Sequence, residues 1–378
     1  MTEIVLIFVF SFLLAFYTFF IFSIYRGLRK LKKTDMHKLI PEFVSIVIPF
    51  RNERENLPTN LKSLESQDYP KNKYEVIYVN DSSTDDSLEL LASKIKNENI
   101  RVISVPGTYI PNAHKKRAIK YGIENAKGEI IVTSDADCNY NNDWLRTLLK
   151  YMDEETAFIS GPVEFENSGN FFGAIQKLEF AGLVIVGAGL IGINKPTICN
   201  AANIVYRKKV FDEVDGFYGQ YGLSSGDDEL LMQKIWKRTN YKIKFCPEKE
   251  AIVKTVPNKT LSDFYQQRKR WASKGLFYGN KLLVIKLVLI YLFYSGLAVQ
   301  LVLGITTSPV YIITLTVSLV VKIIIEYLAI KKGVVLLFDR KILRLFLPAQ
   351  ILQIPYIIVA GFAGVFGNFT WKERIVTR

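Results

Sequence analysis

The chain has 378 residues, with 49 Lys and Arg against 36 Asp and Glu, two His and three Cys. Cys138, Cys199 and Cys246 show no C-x-x-C spacing and are odd in number, which argues against a disulfide framework or a zinc site. With only His37 and His114 present, a Ser–His nucleophile is disfavoured. Much of the excess positive charge stands beside apolar segments, so anionic lipid rather than nucleic acid is the expected partner, with a phosphorylated substrate next.

Ile4 to Tyr25, IVLIFVFSFLLAFYTFFIFSIY, carries no charge and is long enough to cross roughly 30 Å of hydrocarbon as a helix. Preceded by Glu3 and ending in aromatics, it lacks the basic start and small-residue cut site of a signal peptide, so an uncleaved transmembrane anchor is predicted over residues 1–25. Arg26, Arg29, Lys30, Lys32, Lys33 and Lys38 follow directly. Such a cluster beside a span marks the cytoplasmic side and predicts a basic juxtamembrane linker over 26–40.

From 41 to 275 the composition is that of a soluble domain. FVSIVIPF, YEVIYVN, NIRVISV and GEIIVTSDAD read as β-branched strands that end in polar residues. NLPTNLKSLESQ, DDSLELLASKIKNE and NAHKKRAIKYGIENA, lying between them, read as helices. This alternation predicts an α/β fold with a mostly parallel sheet covered on both faces. Ligands in such sheets bind at the carboxyl ends of the strands, which directs attention to PFRNE (Pro49–Glu53), NDSSTD (Asn80–Asp85) and SDAD (Ser134–Asp137). The absence of a GxGxxG or GxxxxGK[ST] loop after the first strand argues against a dinucleotide site or a P-loop.

Asp135 and Asp137 stand two apart, and strand alternation predicts that they share a face. Two adjacent carboxylates call for a cation, and a hard divalent ion that also bridges phosphates suits so sparse an oxygen site; the competing reading is a pair of helix-capping aspartates. Asp81 can accept from a uracil N–H or a ribose hydroxyl while also belonging to a capping cluster. Lys115, Lys116 and Arg117 follow Pro111 and Asn112 in a first helical turn, where cations oppose the dipole, which predicts an anion nearby. Asp227, Asp228 and Glu229 enter another helix in SSGDDELLMQKIW. They are ordinary dipole partners or, facing a basic cleft, a source of a general base.

After Gly275 the chain is apolar again, and 276–378 is predicted to hold two to three transmembrane or re-entrant helices. Leu287 to Gly304 and Val310 to Ile330 approach span length, the second with Lys322 and Glu326 spaced to pair on a helix. Leu345 to Gly367 contains Pro348 and Pro355. Three crossings put the closing WKERIVTR outside while its cations favour the inside, a conflict the sequence leaves open and that an interfacial or re-entrant segment among the three would remove.

The segments IVIPFRNERENL, VNDSSTD, KKRAIKYGIENAKGEIIVTSDAD, CNAANIVYRKKVFDEVDGF, SGDDELL and QRKRW, in this order over about Val44 to Gly275, resemble the family 2 glycosyltransferases. These are membrane-anchored, nucleotide-sugar-dependent enzymes of the GT-A fold that include cellulose, chitin and hyaluronan synthases. The resemblance implies a donor pocket of Pro49, Arg51, Glu53, Asp81, Lys115 and Asp135, with Asp137 ligating Mg²⁺ or Mn²⁺ beside Asp135. The family's T-E-D or E-D base corresponds to G-D-D-E here, where spacing favours Asp227 over Asp228. Asn80 departs from the usual aspartate pair and removes one anion. Asn200 and Asn203 fall in the acceptor-side loop. QRKRW matches Q-x-x-R-W as Gln267, Arg270 and Trp271, which share a helix face. Trp271 is expected to stack on an acceptor sugar and Arg270 to reach the diphosphate, with Arg268, Lys269 and Lys274 turned to lipid headgroups.

The implied activity is inverting transfer of a sugar, from a UDP-sugar by preference, to a lipid or lipid-linked glycan acceptor at the cytoplasmic face. A processive polysaccharide synthase is the alternative, disfavoured because three C-terminal segments are few for a polymer channel. A noncatalytic nucleotide-sugar-binding membrane protein is the further one, opposed by the intact carboxylate set.

Overall fold

The computed structural model describes residues 1–34, 42–110, 113–222, 226–273, 278, 280–366, 369–371 and 374–376. His37, Lys38, Pro111, Asn112, Lys274 and the expected boundaries at 40/41 and 275/276 lie outside the described residues.

Helix α1 (Thr2–Lys30) carries the expected span but continues through the first basic residues, so Arg26 to Lys30 are helical rather than linker. Lys and Arg are good helix formers, and cations suit the last turn. The domain that follows alternates β1 (Val44–Phe50), α2 (Leu57–Glu65), β2 (Tyr74–Asn80), α3 (Ser87–Lys94), β3 (Ile100–Ser104), α4 (His114–Glu124) and β4 (Ile130–Thr133). Next come β5 (Cys138–Tyr140), α5 (Trp144–Leu149), β6 (Thr156–Ser160), β7 (Val163–Phe165) and α6 (Phe171–Gly192). The domain is completed by β8 (Ile204–Arg207), α7 (Lys208–Glu213), α8 (Glu229–Arg238), β9 (Lys242–Phe245), β10 (Val253–Thr255) and α9 (Leu261–Ser273).

Seven strands form one sheet in the order β3-β2-β1-β4-β8-β6-β9. The pairs β3–β2, β2–β1, β1–β4 and β6–β9 are parallel, and β8 alone runs against its neighbours, so the mostly parallel expectation holds in a mixed sheet. Every residue of β1 and β2 is buried, as befits strands covered on both faces. Period-two alternation divides them: Val47 and Ile77 join the core under α4 and α6, while Ile46, Ile48 and Tyr78 join the one under α2 and α5. A three-stranded sheet, β5-β10-β7, stands beside the carboxyl end of β4.

Helices α10 (Lys281–Thr306), α11 (Val310–Leu337) and α12 (Phe346–Phe366) follow, and residues 369–371 and 374–376 pair as a short hairpin. Among the described residues α1, α6, α10 and α11 are each long and apolar enough to cross a membrane, as is the segment Arg340–Ala363 that contains most of α12. The chain is therefore built as an integral membrane protein with a central α/β domain. Phe8, Phe12 and Phe19 project outward from α1, whereas Phe10, Leu13 and Tyr17 pack inward. Lys322 and Glu326 pair at 2.9 Å, as their spacing predicts. Around them Lys322 donates to Gln350 and Gln353, and Glu326 accepts from Tyr17, Tyr294 and Gln350, so α1, α10, α11 and α12 share one saturated polar network. Away from water, such groups persist only when mutually satisfied.

Sequence reading placed all of 41–275 in a soluble domain and missed the apolar character of α6. Its signal is AGLVIVGAGLIG, Ala181 to Gly192, without a charge. The helix meets the last turns of its neighbours: Gly189 against Ile24 and Gly27 of α1, Gly182 and Ile185 against Ile330 and Gly333 of α11. It thus lies where the domain joins the membrane helices.

Candidate active site

The carboxyl ends of β1, β2 and β4 open into a cleft of about 450 Å³. Pro49, Arg51 and Glu53 reach it from β1 and the loop beyond, Asp81 from the end of β2, and Asp135 and Asp137 from the end of β4. Two positive-φ residues make the chain turn away there, Asn52 at 51° and Ser82 at 58°. Asn52 ties the two loops together, its carboxamide accepting from Thr84 N at 2.8 Å. Arg51 Nη1 donates to the Asp81 carbonyl at 3.0 Å, and Glu53 accepts from Asn56 Nδ2 at 2.6 Å. Asp81 is buried and its carboxylate accepts from Arg117 Nε at 2.5 Å.

The cations that open α4 do face anions, and those anions are carboxylates of the chain. Lys115 Nζ lies 2.5 Å from Asp135 Oδ1 and 3.1 Å from Asp227 Oδ2, spanning the cleft from the β4 side to the start of α8. Burial lowers the Lys115 ammonium, but the charges of Asp135 and Asp227 outweigh it and raise its pKa overall. For Asp227, burial raises the carboxyl, and Lys115 and Lys116 overcome this and hold it at about 2.

Asp135 and Asp137 line one cleft for a different reason from the one expected. Strand β4 stops at Thr133, so the D-A-D stretch is a turn rather than alternating strand; the chain must leave the main sheet to enter β5 of the second. The Cys138–Thr255 register between β5 and β10 brings the Thr255 hydroxyl to Asp137 Oδ2 at 3.0 Å. Thr255 was not foreseen, and its tripeptide VKT carries no signal for it.

The two acidic candidates before α8 differ sharply. Asp228 is the α8 N-cap: Oδ1 accepts from Glu229 N at 2.7 Å and Oδ2 from Ala201 N at 2.9 Å, so both its oxygens serve backbone amides. Asp227 faces Lys115. Asn200 lines the cleft and caps Ala202 N at 2.9 Å.

Asn203 does not reach the cleft, contrary to expectation. Fully buried, it donates to the carbonyls of Pro162 and Ala251, each at 2.8 Å, and accepts from the Trp144 indole at 3.0 Å. Its carboxamide is consumed in joining three loops. Tyr278, also unforeseen, lines the cleft and donates to Glu229.

The remaining wall belongs to the membrane junction. Gln267, Arg270 and Trp271 of α9 all line the cleft, with Phe180, Leu183 and Gly187 of α6 beside them. Trp271 stacks on Phe180 with ring centroids 6.0 Å apart. Burial lowers the Arg270 guanidinium, opposed by Asp227, Asp135 and Asp228. Arg268 does not turn to headgroups: it is 2% exposed and forms an ion pair with Glu179 of α6. Gln267, Arg270 and Trp271 share the cleft side of α9 as their spacing predicts, but Arg268, assigned to lipid, is covered by α6.

Residues 45–215 match the family model described as Glycosyl transferase family 2. Glycosyltransferase AglE of Haloferax volcanii is 28% identical over 190 residues, covering 49% of this chain and 59% of that protein. Poly-beta-1,6-N-acetyl-D-glucosamine synthase of Staphylococcus epidermidis is 24% identical over 247 residues, covering 62% of this chain and 55% of the synthase. The chain thus spans less than two thirds of these relatives' lengths. In fold it is similar to mannosyltransferase PcManGT of Pyrobaculum calidifontis, solved with GDP-Man and Mn²⁺: TM-score 0.59, 17% identity, with 95% of this chain and 97% of that one covered.

Proposed function

We propose that this chain, which belongs to glycosyltransferase family 2 through residues 45–215, is a membrane-integrated inverting glycosyltransferase. It transfers a sugar from a nucleotide-sugar donor to a lipid or lipid-linked glycan acceptor. The observation that carries this reading is Lys115, which faces Asp135 on the donor side and Asp227 on the other within one cleft. Inverting transfer needs positive charge where the diphosphate leaves and a base where the acceptor hydroxyl attacks.

Asp81 and its neighbours after β1 and β2 bind the nucleoside, and Lys115 and Arg270 attract the diphosphate. Asp227 takes the proton from the acceptor hydroxyl as that oxygen bonds to the anomeric carbon and the nucleoside diphosphate departs. Asp228, with both oxygens engaged by amides, holds the Asn200 loop to α8 and is the weaker candidate for the base.

Asp135 and Asp137 are hard oxygen donors at the expected end of the sheet and suit Mg²⁺ or Mn²⁺. Among the described residues no group of three or more His, Cys, Asp or Glu is assembled, so these two carboxylates would share the ion with phosphate and water. When bound, the cation neutralises the developing charge of the diphosphate; the Mn²⁺ present with GDP-Man in the Pyrobaculum enzyme supports this assignment. The apolar wall of Phe180, Leu183 and Trp271, continuous with the membrane helices, favours an acceptor with a lipid portion. The Staphylococcus synthase keeps processive polymerisation as the second reading.

The test is to incubate the purified protein with UDP- and GDP-sugars, Mn²⁺ or Mg²⁺ and a membrane lipid extract, and to identify products by mass spectrometry. A lipid carrying one added sugar is the expected product; a ladder of added sugars would favour polymerisation. No nucleotide release with any donor would overturn the reading.

A further inference from the structure

We propose that Glu179 of α6 is a positioning residue for the acceptor wall, acting through Arg268 on Gln267 and Trp271; this rests on the transfer reaction proposed above. Arg268 is buried against α6, donating through Nε to Glu179 Oε1 at 3.2 Å and through Nη2 to Glu179 Oε2. Its third nitrogen, Nη1, donates to Gln267 Oε1 at 2.6 Å. The Cζ of the same guanidinium lies over the Trp271 ring, 4.2 Å from its centroid, and over that of Phe264 at 4.6 Å. A single cation therefore touches two of the three motif side chains that line the cleft, while facing away from it. Its other two nitrogens are held by one carboxylate on another helix.

Glu179 also accepts from the Tyr356 hydroxyl of α12 at 3.1 Å, so helices α6, α9 and α12 meet at this carboxylate. A rigid planar fork held at two edges cannot rotate without breaking a hydrogen bond, and a ring packed against it inherits that constraint. Losing the Glu179 charge leaves a buried guanidinium in need of a new partner, and Gln267 or water must reorganise to supply one. The donor side, built from β1, β2 and β4, has no contact with this arrangement among the interactions described above. Arg268 reaches Arg270 of the same helix through its charge, which Glu179→Gln leaves in place, so the effect falls chiefly on the acceptor.

Glu179→Gln is expected to raise the acceptor KM at least tenfold, while donor KM and the slow release of nucleoside diphosphate to water stay within twofold. Glu179→Asp restores part of the acceptor affinity. Arg268→Lys, which keeps the charge and loses the fork, gives the same split if Glu179→Gln fails to fold. An unchanged acceptor KM overturns the proposal, as does an equal fall in transfer and donor hydrolysis that follows a lowered Tm. If the wild-type protein proves inactive with every donor, the transfer reading fails separately. Trp271 fluorescence, taken as the difference from Trp271→Phe, then decides whether Glu179→Gln moves the ring; an unmoved ring overturns the proposal.

Discussion

The Lys115 ammonium stands 3.1 Å from the Asp227 carboxylate, an ion contact in which Asp227 Oδ2 lacks an aligned hydrogen bond. The same ammonium holds Asp135 at 2.5 Å. In the proposed reaction a diphosphate entering the cleft would compete for this cation, and each step it gained on Lys115 would release Asp227 from the charge that suppresses its basicity.

Asp227→Asn is expected to lower transfer by roughly 10²- to 10⁴-fold, the usual contribution of a positioned base, with donor binding measured by calorimetry changed only a few-fold. Asp228→Ala should act on stability instead. Loss of an N-cap and of its loop contact costs about 1–2 kcal/mol, read as a lower Tm with most transfer retained.

Acid unfolding should report the same carboxylate. With its pKa at about 2 in the fold, below the ordinary 3.8, Asp227 holds fewer protons folded than unfolded between these values. Its stabilisation is fully present above the unfolded pKa and disappears as pH falls through the folded one. The stability gap between wild type and Asp227→Asn is therefore expected to close as pH falls from 4 toward 2.

Asn203→Ala should unfold the protein rather than selectively slow it. The substitution strands the Trp144 indole N–H and two carbonyls in the core, each worth about 1–3 kcal/mol when left unsatisfied. A large drop in Tm is expected before any change in donor or acceptor KM in the surviving folded fraction.

The contrast between Asn200 and Asn203 shows what could be read from residues alone. Motif order directed attention to this loop, and Asn200 lines the cleft, yet whether an asparagine faces a cleft or the core depends on which loops arrive opposite it, and Pro162 and Ala251 come from distant parts of the chain. Strand ends were legible because apolar β-branched runs stop abruptly at polar residues, and this brought Asp81 and Asp135 to one edge. Asp137 was legible in place but not in cause, since β4 ends at Thr133, four residues before the Asp137 that the alternation required it to reach. Arg268 was not legible: periodicity fixes the faces of α9 relative to one another and says nothing of the helices that cover them.

Gly27→Val is expected to separate α1 from α6. A Cβ at Gly27 would lie 1.8 Å from the Gly189 carbonyl oxygen, a backbone atom that no rotamer change can move. Overpacking of this kind costs about 1–3 kcal/mol or more, measurable as a reduced Tm in detergent, and Gly27→Ala should show the same sign.

The polar network around Lys322 and Glu326 also bears on how the protein is made. Tyr17 is synthesised some 300 residues ahead of the glutamate it meets, as the 309-residue separation of that hydrogen bond records. Lys322 and Glu326 enter the bilayer together, already neutralising each other within α11, whereas Gln350 and Gln353 follow only when α12 emerges. Among the described partners, those on α12 are synthesised after those on α1, α10 and α11, so this network is complete only once α12 has joined it.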